Sequence, residues 1–241
     1  MSLHVIVGAG ATGSATARLL ADAGEQVRLV TRRGGGPVHE RIERVAADAT
    51  DPARLIGLVT GVVALFNCAM PPYDRWPEEF PPLANALLAT AEHTGADYIM
   101  LGYGAVDGPV TEDLPMAPTS VKGRVRAQIW HDAHAACAAG RVRVTEVRAN
   151  DFLGAGAYSP FTLTVGAPVL AGLPVAYPGD LDAPHSWSYT GDTARTLIAA
   201  SRHEGSWGRA WHVPATSDAP VRELAARLAE AAGAPPHSWA A

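Results

Sequence analysis

The residues best equipped for chemistry begin with Gly8-Ala9-Gly10-Ala11-Thr12-Gly13, a G-x-G-x-x-G set directly after an apolar run and directly before an Ala- and Leu-rich one. The first glycine permits a tight turn, the second lets backbone approach a pyrophosphate, and the third lets helix and strand pack closely. A helix that starts here offers the N–H groups of Gly10, Ala11, Thr12 and Gly13 and a partial positive charge to phosphate. About twenty residues on, where a carboxylate would bind a ribose 2′-hydroxyl, the chain has Thr31-Arg32-Arg33. A guanidinium suits a 2′-phosphate through forked, charge-assisted hydrogen bonds. The expected cofactor is NADP(H) in preference to NAD(H), with Arg32 and Arg33 reading the phosphate.

Other reactive groups are sparse. Of 19 basic residues 18 are Arg, and Lys122 is the single lysine. His131 and His134 stand three apart on a helical stretch, yet no HExxH and no convergent Cys or carboxylate set accompanies them, so no metal is expected. No G-x-S-x-G elbow is present, which argues against a hydrolase of that type. Cys68 and Cys137 lie far apart without a C-x-x-C, so no disulfide framework is expected, and Cys68 reads as packing at the end of an apolar strand.

These residues need a scaffold, and the hydrophobic pattern supplies one. Strands are expected over 3–7, 26–31, 44–47, 62–67, 97–101 and 142–148, with helices over 12–23, 51–58, 78–94 and 122–139 between them. Such alternation predicts an α/β fold, a Rossmann-type doubly wound parallel sheet. After about Asn150, Gly- and Pro-rich turns separate short helices over 161–170, 192–201 and 217–232 and an extended piece at 210–213. The expected organisation is a nucleotide-binding domain over 1–150 and a small C-terminal substrate-binding lobe over 151–241, one folding unit, with the lobe at the sheet edge where parallel sheets bind ligands.

Composition narrows the function classes. The 241 residues can bury a large core, and the net charge of −5 leaves no chain-wide basic surface for nucleic acid. Charged residues make 18% and hydrophobic ones 48%, a well-buried globular balance. The opening apolar run is too short for a signal peptide, and nothing approaches the roughly 18 apolar residues of a membrane span. A cytoplasmic protein with a small-molecule substrate, no nucleic acid and no membrane is expected.

With these residues placed, almost the whole chain resembles the extended or atypical short-chain dehydrogenase/reductases, in particular NAD-dependent epimerase/dehydratase-like proteins and their NmrA-like relatives. The resemblance implies cofactor contacts from Asp48 and Ala49 after the third strand and from Asn67-Cys68-Ala69 after the fourth. Arg148-Ala149-Asn150-Asp151-Phe152-Leu153-Gly154 is similar to the segment near the nicotinamide, which adds Asp151 to the cofactor shell. Trp187-Ser188-Tyr189-Thr190-Gly191-Asp192 is similar to a turn before a later helix.

The family's catalytic set is a Ser or Thr after the fifth strand plus a Tyr and a Lys four residues apart. The stretch from Leu101 to Gly108 and the run-up from Thr111 to Pro118 resemble the family's and set the register. Tyr103 then takes the Ser/Thr position, Lys122 the Tyr position and Arg126 the Lys position. This implies Lys122 as proton donor or as electrostatic clamp on an oxyanion, Tyr103 as the alternative proton carrier, and Arg126 holding ribose or phosphate. Tyr73, Trp76, Phe152 and Trp187, with Tyr158 and Tyr189, fall on loops expected to converge as an apolar or aromatic substrate pocket. Asp107 and Asp151 are nearby carboxylates able to act as acid or base.

The activity implied is NADP(H)-dependent oxidoreduction of a carbonyl or hydroxyl on a small, sugar-like metabolite. Because the Tyr/Lys pair is replaced, a non-redox isomerase, epimerase, cyclase or dehydratase, or an NADP(H)-binding sensor, stays open. Relatives dimerise through two long helices, here those from Glu78 and from Lys122, so a homodimer is also implied.

Overall fold

Short β-branched runs alternate with Ala- and Leu-rich segments, and the computed structural model, which describes residues 2–102 and 110–240, turns this alternation into strands and helices. In chain order they are β1 (Leu3–Val7), α1 (Ala11–Asp22), β2 (Gln26–Thr31), β3 (Ile42–Ala46), α2 (Pro52–Val59), β4 (Ala64–Asn67), α3 (Trp76–Thr94), β5 (Asp97–Gly102), α4 (Val121–Ala138) and β6 (Val144–Arg148). There follow β7 (Asp151–Leu153), α5 (Ala167–Ala171), β8 (Trp187–Tyr189), α6 (Thr190–Arg202), β9 (Arg209–His212) and α7 (Val221–Ala232).

The chain forms two compact units, Met1–Ala149 with Thr193–Val213, and Asn150–Asp192 with Pro214–Ala241. In the first, seven strands pair in the order β3-β2-β1-β4-β5-β6-β9, every pair parallel. Both faces of the central strands are covered, which is why β1, β4 and β5 read as near-continuous apolar runs, while the edge strands β3 and β9 carry exposed polar residues. Val5, Leu65, Tyr98 and Val144 pack with Leu55 of α2, Leu87 of α3 and Ile129 of α4, while the alternate residues Ile6, Leu29, Phe66 and Ile99 are equally buried. The strand order reverses between β1 and β4, and the carboxyl ends of that pair form the crevice where an open α/β sheet receives its ligand.

Local signals set the helix starts. Asp51 caps α2 by accepting from Arg54 N with Pro52 at the first position, and Ser120 caps α4 by accepting from Gly123 N over 3.0 Å. Helix α3 begins two residues before its expected start and carries Pro81 and Pro82 inside. Each proline removes one backbone bond, and the burial of Trp76, Phe80, Leu83 and Leu87 against the sheet holds the helix together regardless.

The second unit is built on β7 and β8, which pair in parallel from Asp151↔Trp187 to Leu153↔Tyr189. Three residues each are too few to show an alternation, and the sequence reading has no strand at either place. Phe161, Val165, Val169, Val175, Trp187, Val221 and Ala225 form its core. The expectation that all of 151–241 belongs to one lobe differs from the structure at Thr193–Val213. This stretch joins the first unit because β9 extends the main sheet beside β6, with Thr145↔Arg209 to Arg148↔His212 in register.

Candidate active site

Gly8 leaves β1 with φ at +100°, a region that L side chains avoid, and its N–H donates to Val30 O over 3.0 Å. A Cβ on Gly8 would stand 2.6 Å from Cys68 O, and one on Gly13 would stand 2.0 Å from Gly8 O. On Gly10, which caps α1, a Cβ would meet nothing within 4 Å. The turn is closed by backbone at two glycines and open at the third. No side chain among the described residues caps the first turn of α1, so Ala11, Thr12 and Gly13 present backbone N–H groups without a side-chain competitor. Beside this turn Ala9, Thr31, Arg32, Arg33, Gly35 and Gly36 line a cavity of about 610 Å³. A turn that requires glycine at positions 8 and 13, opening on two exposed guanidiniums, fits the phosphates of a dinucleotide.

The remaining cofactor positions divide. Asp48 is exposed and accepts from Thr50 N at 2.9 Å and Thr50 Oγ1 at 2.8 Å; these bonds, with Arg32 nearby, hold its carboxyl below the usual range. Ala49 lies in the core. Asn67 is buried, donating to Tyr98 Oη over 3.0 Å and accepting from Ala69 N over 3.3 Å, so it shapes the exit of β4. That exit runs against Gly8, which places Cys68 and Ala69 at the turn. Burial pushes the Cys68 thiol up to about 12, opposed by a Thr16 hydrogen bond, so it is not a thiolate nucleophile.

Lys122 is exposed in the first turn of α4, with Nζ 4.3 Å from the Tyr73 ring centroid and 5.8 Å from that of Trp76. One turn on, the Arg126 guanidinium lies over Trp76 at 4.8 Å and Phe80 at 4.6 Å. Its Nη1 donates to Leu101 O over 2.6 Å, and its Nε has no partner among the described residues. Of the groups expected to meet ribose or phosphate, Arg126 thus has its Nη1 engaged by the backbone at the end of β5. Burial pushes this guanidinium below its ordinary range, while Glu146 pulls it back. Tyr103 and Asp107 lie outside the described residues.

Two acidic groups were not foreseen. Glu146, in the middle of β6 and 1% exposed, accepts from Arg148 Nε over 2.6 Å; burial raises its carboxyl, and Arg148 followed by Arg126 opposes the rise. The available signal was an acid and a guanidinium two residues apart in an apolar strand, hence on one face. Glu112 accepts from His212 N over 3.0 Å, a bond that holds its carboxyl low.

The aromatic pocket is corrected at two positions. Trp76 is 5% exposed with Nε1 donating to Pro71 O over 2.9 Å. Trp187 is fully buried, Nε1 donating to Ala219 O over 2.8 Å and its ring edge-on to Phe161. Large rings whose N–H finds a carbonyl are worth more in a core than on a wall. In the second unit Asp151, expected among the cofactor contacts, is hydrogen-bonded with His185 Nε2 at 2.9 Å, and Phe152 is half-buried opposite Ser188. Tyr73, Tyr158 and Tyr189 are exposed, as are His131 and His134. Among the described residues no three His, Cys, Asp or Glu side chains are grouped to hold a metal, and no helix is long and apolar enough to cross a membrane.

Three solved structures are similar over nearly the whole chain. An epimerase from Methanothermobacter thermautotrophicus gives a TM-score of 0.86 at 17% identity, covering 99% of this chain and 80% of that one. The dTDP-glucose 4,6-dehydratase of Bacillus anthracis, in complex with NAD, gives 0.85 at 15%, covering 100% and 84%. The UDP-glucose 4-epimerase of Thermus thermophilus, also with NAD, gives 0.79 at 18%, covering 98% and 85%. At these identities the likeness is one of fold. No curated protein matches the sequence significantly. Residues 4–213 do match a family as a whole, in step with the glycine turn and parallel sheet just described, and the chain belongs to the NAD dependent epimerase/dehydratase family.

Proposed function

We propose that the protein binds NADP(H) at the β1–α1 turn and acts on the hydroxyl- or carbonyl-bearing carbon of a small, sugar-like molecule. The observation that supports this best is the turn itself, closed by backbone at Gly8 and Gly13, open at Gly10, and beside the cavity lined by Arg32 and Arg33. The amino end of α1 would hold the pyrophosphate and the two guanidiniums a 2′-phosphate, with no carboxylate at the end of β2 to take a ribose diol. The dinucleotide, when bound, supplies hydride chemistry. The chain's own part is to orient the sugar and to hold charge at its oxygen, for which Lys122 is the available cation. In this reading the unit of Asn150–Asp192 and Pro214–Ala241 receives the substrate. Two copies pair through α3 and α4, which a sedimentation measurement of mass tests.

Calorimetric titration should show NADPH binding more tightly than NADH. Arg32→Ala combined with Arg33→Ala should weaken NADPH about 10- to 100-fold, the worth of charge-assisted hydrogen bonds, and leave NADH nearly unchanged. Equal affinity of the unmodified protein for both nucleotides would overturn the choice of NADP(H).

The family match favours a second reading, an epimerase or dehydratase in which the hydride returns to the same substrate. UDP-glucose and dTDP-glucose, the sugars named for two structural neighbours, are the first substrates to try. A new sugar product without lasting change in nicotinamide absorbance supports internal return. A lasting change supports net redox turnover, and tight nucleotide binding with neither supports a sensor.

A further inference from the structure

The proposed reaction needs a side chain that gives or takes a proton at the substrate oxygen, and such a group meets two cations in the first unit. The short turn Tyr73–Arg75 follows β4, and the Tyr73 ring stacks on Trp76 with centroids 5.1 Å apart and planes 29° from parallel. Trp76 is pinned through Nε1 to Pro71 O and edge-on to Phe80, so the platform under Tyr73 is rigid. From α4, Lys122 places Nζ 4.3 Å from the Tyr73 ring centroid, and Arg126 lies within electrostatic reach of the Tyr73 oxygen. The Ser120 cap fixes the turn that carries Lys122.

Three features set this apart from an ordinary surface stack. Lys122 and Arg126 are one turn apart on α4, where like charges repel, and an anion between them relieves both. Tyr73 as a whole is 37% exposed, so the residue stands at the protein surface and not in the core. The position is also right: Ala69 lies against Gly8 of the nucleotide turn, and Tyr73 is four residues further on, at most about 14 Å along the chain. Other charged groups on the Tyr73 turn are Asp74 and Arg75, the latter paired with Glu79 at 3.0 Å.

We infer that Tyr73 is the acid/base residue of this protein, with Lys122 and Arg126 as its charge partners, a deepening that rests on the proposed function. In the oxidative direction the phenolate takes the substrate hydroxyl's proton: that O–H bond breaks and the phenol O–H bond forms. In the reductive direction the phenol returns the proton to the carbonyl oxygen. Electron balance is met by the nicotinamide dinucleotide of the proposed function, as hydride acceptor or donor, and the chain moves the proton alone. Lys122 then acts as a clamp on negative charge.

The test has two readouts. Ultraviolet absorbance of phenolate is titrated on the full-length protein with no nucleotide added. One of the six tyrosines should ionise ahead of the others, because two cations favour its charged form. That step should be absent in Tyr73→Phe and moved to higher pH in Lys122→Met. Tyr73→Phe keeps the ring stack, so it should fold and bind NADPH as before while kcat falls about 100- to 10,000-fold. An early step that persists in Tyr73→Phe, or an early step and turnover that vanish with Tyr103→Phe instead, would overturn the assignment. If no sugar nucleotide is turned over, the proposed function fails, while the absorbance titration still decides for or against the Tyr73–Lys122 pair.

Discussion

Gly13→Ala should lower NADPH affinity by more than about 100-fold and destabilise the first unit by roughly 1–3 kcal/mol, the usual cost of forcing a methyl into a packed site. The added carbon would stand 2.0 Å from Gly8 O and 3.1 Å from Cys68 Cβ. Neither neighbour can retreat. Gly8 is tied to Val30 O and backed by Cys68 and Ala69, and α1 is fastened from the other side by the burial of Thr16, Ala17 and Leu20. The strain is then relieved only by moving the turn, which misaligns the N–H groups that would face the phosphates. Gly10→Ala is the informative partner, since its Cβ would meet nothing within 4 Å. That variant should keep its melting temperature within a few degrees and lose affinity only because the methyl stands where a pyrophosphate approaches. Thermal melts and NADPH titrations of the two proteins separate packing from ligand approach. Near-native binding by Gly13→Ala would mean that the turn does not hold the nucleotide.

How much of this was legible depended on how local each signal is. Strands β1 and β2 stand out as apolar runs bounded by glycine or a polar turn, and β4 and β5 repeat that grammar, whereas β3 (Ile-Glu-Arg-Val-Ala) and β6 (Val-Thr-Glu-Val-Arg) are mixed, so the parallel α/β architecture follows mainly from the central strands. Strand β9 is Arg-Ala-Trp-His, without a β-branched residue, and its place beside β6 is a pairing across more than sixty residues that no local pattern announces. The glycine turn was readable because its three glycines each have a different steric reason. The aromatic pocket was not, because a Trp on an apparent loop looks the same whether it faces solvent or core. Trp76 proves to be the first residue of α3 and Trp187 the first of β8, and both turn inward. Arg126 was found by register but its bond to Leu101 O was not, since a backbone carbonyl is an acceptor present at every position.

Glu146→Leu should cost about 3–5 kcal/mol and lower the melting temperature by roughly 10 °C, because it leaves a buried guanidinium without its acceptor. Arg148 is 4% exposed and Glu146 1%, with Nε to Oε2 at 2.6 Å. The fit around the carboxylate is tight: a Cβ on Gly102 of the neighbouring strand would stand 2.1 Å from Glu146 Oε1. By contrast, breaking the exposed Arg28–Glu43 pair with Glu43→Ala should change stability by no more than about 1 kcal/mol. Glu146→Gln keeps an oxygen for Arg148 and should be milder than Glu146→Leu, and Glu146→Leu combined with Arg148→Met should recover most of the loss, since the cost lies in the orphaned charge. The pH dependence has a sign opposite to ordinary acid denaturation. Burial raises the folded carboxyl above its unfolded value, the Arg148 charge opposing, so the folded state holds the proton more tightly. The stability from this group is full below about pH 4.3 and is lost as pH rises through the folded value. Glu146→Gln cannot titrate, so its stability should lack that decline on the alkaline side when melts are compared across pH. An unchanged slope in Glu146→Gln would show that the carboxyl does not titrate as its burial demands, and a Glu146→Leu protein as stable as the parent would show that Arg148 finds another acceptor.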